Sequence, residues 1–133
     1  MEALKELKLT QDYVSLDAFG KKYRLAFDAI AADKANDEIN KAEPRPDPPI
    51  NVANPTHWFR FSSLQLAIVV WACMDLFHSE VELKDVKRWI GPGSQDAVFN
   101  LLFKHTWPDM WERLNKVLER KGPQPVGEQQ PNT

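Results

Sequence analysis

The side chains best suited to chemistry in this sequence are Cys73, His57, His78, His105 and Asp75, and their spacing argues against most of the chemistry they could do. The single cysteine and the three histidines form no pair at ligand separation, neither C-x-x-C nor H-x-x-x-H, so no zinc site is expected. Cys73 stands within the apolar helix expected over 62–78, where a thiol stays protonated and inert as a nucleophile. Asp75 follows the apolar run 66–74 of that helix and is the one carboxylate placed as an acid–base catalyst's would be. Pairing with a basic neighbour is the commoner fate of such a residue. The Gly91-Pro92-Gly93 turn lacks the length and the lysine of a phosphate-binding loop. No catalytic activity and no cofactor are expected.

Binding is the better-supported class, because the sequence is rich in rings. It holds five tryptophans and seven phenylalanines. All the tryptophans (Trp58, Trp71, Trp89, Trp107 and Trp111) fall after the proline-dense stretch 44–57. Phe99 and Phe103 lie four apart on the flank of a helix, away from Val98 and Leu102. Left uncovered, they form an aromatic patch of the kind that marks a partner surface. Trp58 and Phe61 follow a proline-dense joint and suit either a clamp on a partner or a seal over the core. The four residues Trp58, Phe61, Phe99 and Phe103 are therefore the expected protein-binding set. The expected function is a small helical interaction module, inhibitor or adaptor, with another protein, or a second copy as a homodimer, for partner.

The alternative is a helix-turn-helix DNA-binding regulator built from residues 82–105, where two short helices flank a glycine-bearing turn. Lys84, Lys87, Arg88, Asn100 and Lys104 would then lie near the duplex. A formal net charge of −2 gives the molecule no strong positive field to steer it there. Asp96 would repel phosphate, and Lys87 stands where a small residue usually lets the helices cross. A second basic series, Arg113, Lys116, Arg120 and Lys121, aligns in part on one helix face and could meet phosphate or an acidic protein, though Glu112 and Glu119 neighbour it.

The elements that carry these residues follow from hydrophobic period. Leu16, Phe19, Tyr23, Phe27 and Ile30 recur at three- and four-residue steps, which predicts a one-faced helix over 15–40, capped by Ser15 and interrupted by Gly20. Upstream, Leu4, Leu7 and Leu9 fit a short helix or an extended arm. The stretch 44–57 carries five of the chain's ten prolines and should interrupt any helix or inner strand. Ser62 with Gln65 makes a capping box ahead of the apolar run, so a central helix is expected over 62–78. Further helices are expected over 82–90, 94–105 and 108–121, ended by Gly91-Pro92-Gly93 and Gly122-Pro123.

These elements predict an all-α single small domain of about five helices round the helix at 62–78, with a helix-turn-helix-like hairpin at 82–105. Its parts are an N-terminal amphipathic segment (1–43), the proline-rich joint (44–57), a Trp-rich helical core (58–122) and a disordered tail (123–133). At 133 residues one core suffices without disulfides. A lone cysteine fits a reducing compartment, and residues 1–8 alternate charge with leucine instead of forming a secretory signal, so a cytoplasmic location without membrane contact is expected.

Overall fold

The computed structural model describes residues 12–121; the leucine segment expected upstream and the tail expected to be disordered lie outside the described residues. The described chain opens with a β-hairpin. Val14–Ala18 (β1) pairs antiparallel with Lys21–Leu25 (β2), putting Val14 opposite Leu25, Leu16 opposite Tyr23 and Ala18 opposite Lys21. Phe19 and Gly20 make the two-residue turn, with φ of 53° and 79°. Two positive φ values in succession give the type I′ hand, whose twist matches that of a hairpin.

The all-α expectation, with one helix over 15–40, is thereby corrected: the fold is mixed, mostly helical with one two-stranded antiparallel sheet. The physical reason lies in the residues that carried the helical period. Phe19 and Ile30 are 80% and 66% exposed, so they belong to no buried stripe. Tyr23 and Leu25 point inward at the two-residue period of a strand, and Val14, Leu16 and Ala18 are half-buried between exposed Ser15 and Asp17.

Helix α1, Ala29–Asn40, starts where the Asp28 carboxylate accepts the Ala31 N–H at 2.8 Å. Its small buried residues Ala31 and Ala35, with Ile39, let it lie closely on α2, Ser63–Cys73. The N-terminus of α2 carries the expected capping box: Ser62 Oγ accepts the Gln65 N–H at 3.1 Å and Gln65 Oε1 accepts the Ser62 N–H at 2.9 Å. Seven of its residues, from Leu66 to Cys73, are buried, because α1, α3, α4 and β2 all pack against it. It is the central rod, and it ends at Cys73 instead of reaching 78.

The proline joint between α1 and α2 is folded inward. Asn40 grips Ile50 from both sides, accepting its N–H at 3.0 Å and donating to its carbonyl at 2.8 Å, while Asn36 Oδ1 accepts the Val52 N–H at 2.8 Å. Ile50 and Val52 are thereby buried. A 3₁₀ helix, Pro55–Arg60, capped by Asn54, then carries Trp58 into the core.

Three helices complete the described chain: α3 at Leu83–Trp89, α4 at Gln95–Thr106 and α5 at Pro108–Lys121. Helix α3 packs on α2; α4 packs on α5, β1 and α2. The expected helix-turn-helix-like hairpin at 82–105 is therefore not a packed pair, since its two helices lean on α2 and scarcely on one another. Among the described residues no helix is long and apolar enough to cross a membrane.

Candidate functional site

The ring cluster expected to face a partner instead fills the core. Trp58 and Phe103 have no accessible surface, and Phe61 and Phe99 are half-buried against them. Trp58 lies 5.4 Å from Phe61, 5.8 Å from Phe103 and 6.1 Å from Trp107 between ring centroids, and Phe99 stacks on Phe103 at 5.3 Å. Edge-to-face and stacked rings in such an array add to the area they bury. Trp58 and Phe103 are thus corrected from contact residues to core residues. The ring that this cluster leaves outside is Phe59, 54% exposed and 5.2 Å from Phe103.

The residues assigned to a duplex are split between elements. Lys84 pairs with Glu82 at 3.4 Å, Lys87 is half-buried in a groove beside Pro44 and Leu64, and Arg88 is exposed. Asn100 and Lys104 are exposed on α4.

The chemistry-bearing residues are engaged in holding the fold. His78 Nε2 accepts the backbone N–H of Arg24 and His57 Nδ1 accepts that of Asn51, both at 2.9 Å. His105 Nε2 stands 3.5 Å from the Asp12 carboxylate. Asp75 pairs with Lys34 at 2.8 Å, and the same ammonium lies 4.0 Å from the Trp71 ring centroid. Cys73 is fully buried; burial first, and the Asp28 carboxylate second, push its thiol well above the ordinary range.

A surface that the sequence reading passed over lies at the hairpin tip. Phe19 projects from the turn with its ring 6.0 Å from Trp89, which in turn lies 5.0 Å from Tyr23. Beside it a groove of about 230 Å³ is lined by Leu16, Ala18, Trp89, Ile90 and Val98, among others. Phenylalanine is a poor choice for this turn on two counts. Its Cβ crowds the backbone at positive φ, where asparagine or glycine is at ease, and its ring is left in water. The signal available in the sequence was the Phe-Gly pair set between two short runs of alternating residues.

The edge of β1 borders the same groove. The Arg24 N–H turns outward to His78, so Ser15 and Arg24 form a non-hydrogen-bonded pair, and by alternation so do Asp17 and Lys22. The backbone N–H and C=O of Ser15 and Asp17 therefore point away from β2. Among the described residues nothing hydrogen-bonds to them. A second apolar surface runs along α5, where Leu114, Val117 and Leu118 are exposed. Comparison of the chain with protein-family models, curated proteins and solved structures returns no match.

Proposed function

We propose that the protein is a binding module without chemistry of its own, which engages another protein through the hairpin tip, with Phe19 as the anchor and Trp89 and the adjoining groove as its surround. The observation that carries this reading is the cost of Phe19. A bulky residue held at φ 53° and left 80% exposed contributes little to folding and sacrifices stability. Backbone strain of this kind is kept where a surface has a task. Exposed aromatic anchors beside a pocket are also where binding energy concentrates. One buried, protonated thiol fits a reducing compartment, which keeps the cytoplasm as the proposed location.

The test is Phe19→Asn. Relief of the turn should raise stability by roughly 1 kcal/mol, since the left-handed region costs an ordinary side chain about that much. The same variant, immobilised, should lose the proteins that the wild-type chain retains from an extract of its source cell. A fall in stability would instead make Phe19 a folding residue and end this assignment.

A further inference from the structure

The hairpin has two edges, and the rest of the fold engages only one of them. On β2 the outward N–H of Arg24 is taken by His78, and just beyond the strand the Ala26 N–H donates to the Cys73 carbonyl at 2.8 Å. On β1 the outward groups of Ser15 and Asp17 have no such partner among the described residues, and both residues are exposed. A two-stranded sheet with one bare edge is a template for a further strand.

We infer that β1 pairs antiparallel with β1 of a second copy of this chain, about a two-fold axis through Leu16, to make a four-stranded sheet. This rests on the reading of the hairpin tip as a protein contact. The register follows from parity and charge. Only the odd-numbered residues of β1 present outward backbone groups, so a symmetric ladder is centred on Ser15, Leu16 or Asp17. Centring on Ser15 would set Asp17 opposite Tyr13, outside the strand, whereas centring on Leu16 pairs Ser15 with Asp17 of the other copy, and Asp17 with its Ser15. Both hydrogen-bonded rings then close. Centring the ladder on Asp17 would oppose two carboxylates, which is unfavourable. With Leu16 on the axis, each Asp17 carboxylate instead faces a Ser15 hydroxyl that can donate to it. The two Leu16 side chains meet on the inner face next to the groove, and Val14 meets Ala18. The arrangement also brings Phe19 of each copy to the end of the other strand where Tyr13 stands. A surface complementary to itself under a two-fold axis is what a closed dimer requires.

The sign of a charge placed at position 15 tests this. Within one chain Ser15 lies opposite Arg24, whereas across the axis it lies opposite Asp17 of the other copy. Ser15→Asp should therefore favour the hairpin yet weaken the dimer, and Ser15→Lys should do the reverse. Because two symmetry-related pairs change together, each shift in the dimer Kd should be roughly tenfold. Sedimentation equilibrium of the full chain reads it, as a change in the balance between a 15.3 kDa species and one of twice that mass. In a Cys73→Ala background, Leu16→Cys should form a disulfide with itself on oxidation, because non-hydrogen-bonded partners across an antiparallel ladder bring Cα atoms to about 4.5 Å. Ser15→Cys should not. A wild-type chain that stays at the single mass at every concentration overturns the pairing. A photocrosslinking phenylalanine analogue at position 19 separates the two possible failures. Adducts with other proteins of the source-cell extract, and none between purified chains, leave the contact surface standing and remove the second copy as its occupant. No adduct in either setting removes both.

Discussion

The indole Nε1 of Trp58 donates to the backbone carbonyl of Val52 at 2.8 Å, and neither residue has any accessible surface. This bond fastens the middle of the proline-rich stretch to the ring cluster at the centre of the molecule. A segment whose composition suggests a linker is thereby made part of the core.

Trp58→Phe keeps most of the apolar bulk but removes the donor, leaving the Val52 carbonyl buried and unpaired. The expected loss is about 1–3 kcal/mol, and Trp58→Ala should cost about 3–5 kcal/mol because it also opens a cavity. Urea unfolding reads both as a lower midpoint. Midpoints that do not move would show that Trp58 lies at the surface.

Asn40→Ala removes both bonds to Ile50 and should destabilise by roughly 1–3 kcal/mol, although alanine is the better helix former. Hydrogen exchange gives the sharper reading. The Ile50 amide should lose protection in this variant and the Val52 amide should lose it in Asn36→Ala, each variant affecting its own amide first.

Cys73 should resist a thiol-specific alkylating reagent in the folded protein and react only as the chain unfolds. The raised pKa also sets a pH dependence. In the unfolded chain the thiol ionises at about 8.5, while in the fold it stays protonated above that value, so the unfolded state binds fewer protons there. Stability must then fall as pH rises beyond that point, by up to about 1.4 kcal/mol per unit, and it is fully retained below it. Denaturation at graded pH should show this slope in the wild type and its loss in Cys73→Ala.

Gly20→Ala tests the hairpin. A Cβ at Gly20 meets nothing within 4 Å, so the whole cost comes from holding alanine at φ +79°, about 1–2 kcal/mol. At Gly93 an added Cβ also meets open space, and there φ lies outside the region unfavourable to side chains. Gly93→Ala should change stability by no more than about 0.5 kcal/mol. Equal effects at the two positions would be inconsistent with the turn at Phe19 and Gly20.

What the sequence made legible was local. Ser62 and Gln65 announce the start of α2 because a capping box is written in two side chains three residues apart, and the apolar run behind them has only the centre of the molecule to occupy. The later helices were readable from their apolar faces and from Gly91-Pro92-Gly93, a break that is local too and stands between α3 and α4. The hairpin was not, since strands of five residues are too short for a two-residue period to prevail over a three-to-four-residue one, and Leu16 and Tyr23 satisfy both. The fate of the rings depended on contacts distant in sequence. Nothing near Phe103 reveals that Trp58 covers it, and nothing near Asn40 reveals that its amide will grip Ile50. Phe19 was hidden because it was counted as an inward residue of a helix.

The lacing of the stretch between Asn40 and Trp58 leaves this chain without a seam. Expressing its two halves apart would strip Ala31, Ala35 and Ile39 of the rod they cover and expose that rod along a whole side, so neither piece should be recoverable in soluble form. A reporter or affinity tag spliced into the molecule belongs between Pro92 and Gly93, both exposed, and not in the stretch 44–57 where composition alone would have put it.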